Sequence, residues 1–399
     1  MNIAIAMSKT PGVTTKDICL GCDAHIQTAC EKVYIHTVDP VTKGTLAKGI
    51  CFPTCVSLNE IVCHYSSSNI PLHLKTDDIV RISMGCQIDG YPVMAGHTFR
   101  LTQNTEDETT VMPTTSQTLL SHRRLSLIHA CDEAMKAVVA AFRPGAMNTD
   151  IAGVIAKIAN KYNVQVLPNA LSHEMKRYIL NGRNVIVNRD LLATLQRDAH
   201  EFEVQENQVY HIDVVFGMLD NPSLSNGKIC FPSHVAHPTE RGEQKVFDLV
   251  PSDEHDCTVF VRNVTKRPIR LQTANTALTT IKHQFLTFPF RGYSIFPDSL
   301  TKSKIAINSL VENSLIDTLP VLTSKKHMTA ARFCCTILVT KKETVVLAGN
   351  IEDAERIAEV ESLRKDTSVI ESTKALEHND NLTGRIFGPV EALLKAESV

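Results

Sequence analysis

The sequence VRISMGCQIDGYPVMAGHTF at Val80–Phe99 predicts a β-hairpin. Its turn falls at Asp89 and Gly90, a dipeptide that readily takes positive φ at both central positions of a two-residue turn. The alternation of side chains along the two strands puts four small or soft residues on one face of the sheet: Ser83, Gly85, Met94 and Gly96. A face built from such residues leaves space above it, so the hairpin predicts a site there.

The composition is that of an ordinary soluble globular protein. The chain has 399 residues, of which 43% are hydrophobic and 21% charged, with a formal net charge of -2. We therefore expect no overall attraction to nucleic acid, and any basic surface must be local. The chain is long enough to bury its own core, which predicts a monomer. It has no apolar run of membrane-spanning length and no basic leader, which predicts no membrane association and a cytoplasmic, nuclear or nucleolar location.

Twelve cysteines are scattered along the chain, and in such compartments we expect them to be reduced. One group has a spacing typical of metal ligands: Cys19, Cys22, His25 and Cys30. It lies in a predicted helix capped by Thr14 or Thr15, and no second CxxC or HxxxH follows at zinc-finger spacing. A structural zinc and a buried helix face both remain possible interpretations, and the buried face is favoured.

The predicted elements follow one order, strands then two helices then strands, and this order occurs twice. Helices are predicted at residues 116–142, 149–163, 271–285 and 302–313, and a strand at AARFCCTILVT, residues 330–340. Residues 220–256 are rich in Pro, Ser, Asn and Gly, which is typical of an irregular surface excursion. Pro92 cannot donate a hydrogen bond within its strand, so it predicts a sheet edge or a bulge.

Charge is distributed unevenly. Residues 257–304 contain eight basic side chains and one acidic, whereas residues 351–399 contain six basic and eleven acidic. The basic residues are Arg262, Lys266, Arg267, Arg270, Lys282, Arg291, Lys302 and Lys304. One carboxylate cannot neutralise them through local pairs, so a nucleic-acid contact competes with a plain solvated surface as the interpretation.

Eight stretches carry a family resemblance: PGVTTKDICLGCDAHI, KGICFPTCVSLNEIVCHYS, GCQIDGYPVMAGHTF, HACDEAMKAVVAAFRPGAMNTD, LSHEMKRYILNGRNVI, EFEVQENQVYHIDV, FPFRGYSI and AARFCCTILV. In series they resemble the methionine aminopeptidase, or pita-bread, family, and most closely its ErbB3-binding, proliferation-associated branch. The resemblance implies an α+β fold in which a curved antiparallel sheet carries outer helices with pseudo-twofold symmetry. It implies a pita-bread domain over residues 12–350, a basic subdomain inserted at about 220–320, and an acidic extension over 351–399.

The resemblance also implies which residues occupy the metal-ligand positions. Aminopeptidases of this family hold two metal ions with two Asp, one His and two Glu, since two close divalent ions need bridging carboxylates. These positions fall on Ser83, Met94, His173, Asp213 and Cys334. A hydroxyl and a thioether do not supply the negative charge that hard cations require, so we expect no metal cofactor and no two-metal catalysis. His64 matches the substrate-orienting histidine, and His64 and His97 are predicted to line the pocket.

For the ErbB3-binding branch, the resemblance implies a non-catalytic protein with a role in ribosome production, translation or growth control. Its implied partners are the large ribosomal subunit near the peptide exit, ribosomal RNA, and ribosomal proteins at the exit site. The basic residues of the insertion are the predicted contacts, since Lys and Arg neutralise phosphates. Five more residues extend that surface unless they are ordinary exterior side chains: Arg123, Arg124, Lys176, Arg177 and Arg183. The acidic extension departs from the lysine-rich tail common in this branch.

Two other functions remain open on the sequence. A divergent metallo-aminopeptidase could hold a single metal with His173, Asp213 and Cys334, since all three side-chain types bind zinc. Alternatively, a metal-free pocket could bind peptide N-termini as an adaptor. Metal content with an assay on Met-starting peptides would test the first, and peptide titration of His64→Ala and His173→Ala variants would test the second.

Overall fold

A computed structural model describes most of the chain. The described residues are 1–39, 43–67, 71–102, 115–167, 171–187, 201–220, 223–225, 228–230, 249–264, 267–324 and 328–349. Lys266 and the predicted acidic extension, residues 351–399, lie outside these ranges.

The chain alternates between helices and strands in the predicted order. The helices are α1 (Asn2–Ser8), α2 (Thr15–Glu31), α3 (Thr115–Ala141), α4 (Asn148–Lys161), α5 (Gln272–Gln284) and α6 (Leu300–Glu312). The strands are β1 (Lys48–Leu58), β2 (Ile61–Cys63), β3 (Ile79–Ile88), β4 (Tyr91–Arg100), β5 (Gln165–Val166), β6 (Leu171–Met175), β7 (Val185–Val187), β8 (Val209–Leu219), β9 (Ser223–Ser225), β10 (Lys228–Cys230), β11 (Val250–Pro251), β12 (Val259–Arg262), β13 (Phe290–Arg291), β14 (Ile316–Leu319), β15 (Leu322–Thr323), β16 (Met328–Val339) and β17 (Thr344–Ala348). The four later helices lie where the sequence predicts them, with ends shifted by one or two residues.

A large antiparallel sheet forms the centre of the fold. Within the described ranges it has nine strands in the order β1-β3-β4-β16-β8-β6-β7, with β17 paired to β16 and β5 to β8. Strand β16 therefore joins the hairpin β3-β4 from the first half of the chain to β8 and β6 from the middle. This long-range pairing brings residues that are far apart in sequence onto one face.

The helices cover the other face of the sheet in two groups. Helix α2 packs on β1 and β3, and helices α3 and α4 pack on β8, β16 and the strands beside them. Each group has its own buried apolar cluster: Ile18 and Val80 belong to the first, and Ile128 and Phe333 to the second. The arrangement agrees with the predicted α+β architecture.

Helix α2 is a buried helix, as the favoured interpretation of its cysteines predicts. Thr14 caps it, because its Oγ1 accepts from the N–H of Asp17 while Asp17 accepts from the N–H of Thr14. Cys19 and Cys22 are buried in its packing face. The one cluster of metal-binding geometry within the described part of the chain lies elsewhere.

The described part of the predicted insertion has a small core of its own. Strands β13, β12 and β14 form a three-stranded antiparallel sheet, and α5 and α6 pack together beside it. Phe260, Ile281 and Leu310 are among the buried residues of this cluster. Across all the helices that the structure describes, none combines the length and the hydropathy needed to cross a bilayer.

Candidate functional site

The hairpin has the geometry that its sequence predicts. Asp89 and Gly90 have φ values of 53° and 79°, so both turn positions are left-handed. Gly85 lies opposite Met94 in the register of β3 and β4. Pro92 is in a part of β4 that has no described partner on β16, since β4 and β16 are in register at Gly96 alone among the described residues. The missing N–H of Pro92 therefore interrupts no described pairing between β4 and β16.

Strand pairing brings four of the five expected ligand positions to one place. Cys334 lies opposite Gly96 on one side and opposite Asp213 on the other. A Cβ atom on Gly96 would be 2.8 Å from Cys334 Sγ, and one on Gly85 would be 2.9 Å from Met94 Cγ. Ser83 lies opposite Gly96 in the hairpin. The two glycines are needed because thiol and thioether groups fill the space above them.

Asp213 is held by an arginine that the sequence analysis did not assign to the site. Arg332 donates from Nε to Asp213 Oδ1 at 2.8 Å and from Nη2 to Oδ2 at 2.7 Å. Cys334 Sγ donates to the same Oδ1 at 3.2 Å. Arg332 is 8% exposed and Asp213 is 5% exposed. This bidentate pair is desolvated, and both carboxylate oxygens of Asp213 are engaged by it.

The backbone around Arg332 is also fixed. Thr98 Oγ1 donates to the carbonyl of Arg332 at 2.6 Å and accepts from its N–H at 2.9 Å. The signal in the sequence is that Arg332 is the one charged residue of the strand MTAARFCCTILV. Because side chains two apart in a strand share a face, Arg332 had to lie on the same side as Cys334.

Two histidines border the ion pair. One ligand atom from each of His211, Asp213 and Cys334 lies within 4.8 Å of the others. The ring of His173 is 5.2 Å from that of His211 between centroids. The Nδ1 atoms of both rings are buried without a hydrogen-bond partner. His211 was not predicted, although it lies two residues before Asp213 and therefore on the same face of β8.

Burial and the ion pair decide the protonation states. Burial lowers the pKa of His211 to about 3 and also lowers the pKa of His173. Burial opposes ionisation of Asp213, but the attraction of Arg332 outweighs it and the pKa of Asp213 is about 2. Burial raises the pKa of the Cys334 thiol well above its usual range. At neutral pH the site holds one internal ion pair, two neutral imidazoles and a thiol.

This donor set does not fit a pair of divalent metal ions. Its central carboxylate is neutralised by Arg332, and the hairpin supplies Ser83 and Met94 where carboxylates would have to bridge the ions. No catalytic step through a two-metal centre follows from these residues.

Two side chains from the predicted insertion pack next to Met94. Met94 is 4% exposed and belongs to a buried cluster with Val259 and Phe288, which come from the insertion. Thr336 Oγ1 accepts from the N–H of Met94 at 2.8 Å and donates to its carbonyl at 2.9 Å. Residues of the predicted insertion therefore pack onto the face that the hairpin glycines leave open.

The two histidines predicted to line the pocket lie apart from each other. His64 has a positive φ of 65°, and its Nδ1 is 2.9 Å from the carbonyl oxygen of Pro320. His97 lies on the opposite face of β4 from Met94, where its ring contacts Phe99 and Phe333. The prediction of a pocket role for His97 is corrected, because its position in the strand turns it toward the helix-covered core.

The predicted RNA contacts divide by exposure. Five are exposed: Arg267, Arg270, Lys282, Lys302 and Lys304. Arg262 is half-buried, and Lys266 is outside the described residues. Arg291 is 3% exposed, and its Nη2 lies 2.8 Å from Asp23 Oδ2. Its assignment to an RNA-binding surface is corrected, because the guanidinium is buried against helix α2.

The residues predicted to extend the basic surface are mostly engaged within the protein. Arg124 pairs with Asp220 at 2.6 Å, Lys176 with Glu174 at 3.3 Å and Arg177 with Asp89 at 2.6 Å, and Arg123 Nη1 donates to the carbonyl of Leu219 at 3.4 Å. Arg183 is exposed. These contacts make the first four poorer candidates for phosphate binding than the exposed residues of the insertion.

We expect the protein to lose stability as the pH falls from about 6.5 toward 3, because buried histidines must then take up protons. The folded state keeps His211, with a pKa of about 3, and His64, with a pKa of about 4, neutral below the pH at which an unfolded chain protonates them. Their contribution to the free energy of unfolding is complete above the pKa that histidine has in the unfolded chain, and it is lost as the pH decreases below that value. Asp213 contributes in the same direction only at still lower pH, between its unfolded pKa and about 2.

Urea unfolding midpoints measured between about pH 7.5 and pH 4.5 test this expectation. The groups that face His211 are His173, Asp213 and Arg332. Replacement of His211 by glutamine removes one titrating group and leaves the Arg332–Asp213 ion pair in place, so the urea midpoint should depend less on pH. A midpoint that stays constant over this range in the wild-type protein would contradict the neutral, buried histidines.

Comparisons with known proteins agree with this fold. The family model for metallopeptidase family M24 matches residues 1–230. Proliferation-associated protein A from Dictyostelium discoideum is 29% identical over 345 residues, covering 85% of this chain and 75% of that protein. ERBB-3 binding protein 1 from Solanum tuberosum is 26% identical over 331 residues, covering 82% of this chain and 72% of that protein. The solved structure of a thermophilic Arx1 superimposes with a TM-score of 0.65 at 17% identity, covering 89% of this chain and 92% of that one. The predicted pita-bread fold and the predicted branch are confirmed.

Proposed function

The chain belongs to metallopeptidase family M24, and from this premise we propose that it is a non-catalytic member that binds the large ribosomal subunit near the peptide exit. The observation that carries the proposal is the set of exposed cations on the insertion: Arg267, Arg270, Lys282, Lys302 and Lys304. None of them forms an ion pair with another described residue. They are therefore available to neutralise the phosphates of ribosomal RNA.

The ion pair between Arg332 and Asp213 supports the proposal that the protein is not a catalyst. Arg332 neutralises Asp213, and Met94 is packed against the insertion, so neither provides a charged group toward a substrate. The same packing gives no support to an adaptor that binds peptide N-termini beside Met94. We therefore assign function to the outer surface, in the cytoplasm or at a nuclear stage of subunit assembly.

We expect binding to isolated large subunits to weaken steeply with salt, since each phosphate contact releases counterions. A variant with Arg267, Arg270, Lys302 and Lys304 all replaced by glutamine should flatten the slope of log affinity against log salt by up to about four, or about one for each phosphate that is no longer neutralised. Co-sedimentation between about 50 and 200 mM salt measures both the affinity and the slope.

A matched control replaces four exposed lysines outside the insertion by glutamine: Lys32, Lys75, Lys341 and Lys342. It changes the net charge by the same amount, so a uniform electrostatic attraction would affect both variants equally. Binding that survives the insertion variant, or that is weakened equally in the control, would contradict the proposed surface. Far-UV circular dichroism of both variants checks that the fold is retained.

A further inference from the structure

We propose that Arg332 replaces the positive charge of the metal ions of this fold, so that the wild-type site excludes divalent cations and loss of the guanidinium exposes a single-metal site. The ligands of that site are His211, Asp213 and Cys334, with His173 beside them. This donor set differs from the two-metal carboxylate set that the resemblance implies for active relatives. The inference is independent of ribosome binding.

The first step is that the guanidinium engages the atoms a metal would need. Arg332 occupies both oxygens of Asp213 at 2.7 and 2.8 Å, and Cys334 Sγ lies 3.2 Å from Oδ1. A cation held by Asp213 and Cys334 would have to displace at least one of these charge-assisted hydrogen bonds. It would also lie close to a buried positive charge, and in a desolvated site that repulsion is weakly screened.

The second step is that the remaining donors suit one borderline metal ion. The ligand atoms of His211, Asp213 and Cys334 already lie within 4.8 Å of one another. Imidazole, carboxylate and thiolate together are a zinc-type set, whereas calcium and magnesium prefer oxygen ligands. The set is buried, with Asp213 and Cys334 on directly paired strands, so their backbone positions are fixed before any metal arrives.

The third step concerns the unpartnered nitrogens. His211 Nδ1 and His173 Nδ1 are buried without hydrogen-bond partners, which is a costly state for polar atoms in a core. A metal ion bound to His211 Nδ1 would satisfy that nitrogen. On binding, the Sγ–H bond of Cys334 breaks, the proton passes to solvent, and the thiolate bonds to the metal. Arg332 prevents metal binding, because it holds Asp213 through two charge-assisted hydrogen bonds.

Cobalt(II) titration tests the proposal, because a cobalt–thiolate bond gives a charge-transfer absorption in the near ultraviolet. The wild-type protein should show no such band. The Arg332→Met variant should bind one Co²⁺ per chain at least about a hundredfold more tightly than the wild type, since no charge-assisted hydrogen bond has to be broken first. Addition of Cys334→Ser to this variant should abolish the band, which identifies the thiolate.

A double variant covers the case in which Arg332→Met does not fold. Arg332→Met/Asp213→Leu has no buried charge at this site and retains His173, His211 and Cys334, so it should still give the cobalt–thiolate band, with weaker binding. Far-UV circular dichroism identifies which variants are folded. Cobalt uptake by the wild-type protein with the same band would overturn the proposal, and so would a folded Arg332→Met or double variant that shows no band.

Discussion

Replacement of Arg332 by methionine is expected to lower the free energy of unfolding by about 3–5 kcal/mol, because it leaves the carboxylate of Asp213 buried and unpaired. Asp213 is 5% exposed, and Arg332 occupies both of its oxygens. Methionine retains much of the side-chain volume, so the loss reports on charge more than on packing. Such a loss is a large fraction of the stability of an ordinary domain.

Removal of both charges should cost far less than removal of one. When a buried ion pair is replaced by apolar residues of similar size, the result is often neutral or stabilising, because the cost of desolvating both ions disappears as well. The matched variant is Arg332→Met/Asp213→Leu, and denaturant unfolding of the two variants measures the difference in their free energies of unfolding. If the two variants are equally unstable, the pair does not act as a unit and the charge compensation is refuted.

The sequence predicts the local geometry of the hairpin, but it does not predict that Arg332 pairs with Asp213 in the site. The turn chemistry of Asp89-Gly90 and the two-residue alternation specified the register that opposes Gly85 and Met94. These are interactions between neighbours, which propensity and spacing describe well. The relation of Cys334 to Asp213 depends on the pairing of β16 with β8, which are separated by more than a hundred residues. Family resemblance supplied that pairing, and the residues alone did not.

Three differences between the sequence prediction and the structure are explained by which face of a strand carries the side chain. The sequence prediction does not include Arg332 and His211, although each lies two residues from an expected ligand position and therefore on the same face. The sequence prediction places His97 in the pocket, although His97 lies an odd number of residues from Met94 and therefore on the opposite face of β4. Arg291 was counted with the exposed cations because charge in a sequence does not show whether a side chain points outward.

Arg291 tests this distinction, because we expect its loss to damage the fold and not the binding surface. Its Nη2 lies 2.8 Å from Asp23 Oδ2, and its Nε donates to Ser66 Oγ at 2.7 Å. Asp23 also accepts from the N–H of Thr54 at 2.9 Å. Replacement of Arg291 by methionine leaves Asp23 without its countercharge, so the free energy of unfolding should fall by about 3–5 kcal/mol.

Arg270→Met is the matched control, because Arg270 lies in the same basic run but is exposed. It should leave the stability within about 0.5 kcal/mol of wild type and flatten the slope of log affinity against log salt for large-subunit binding by about one. Arg291→Met should lower the free energy of unfolding. It should leave the slope of log affinity against log salt unchanged when binding is measured at a temperature where the variant is folded. Because Arg291 belongs to β13 and Asp23 to α2, their ion pair connects the predicted insertion to helix α2. Equal stability of the two variants would show that the insertion does not depend on this ion pair for its attachment.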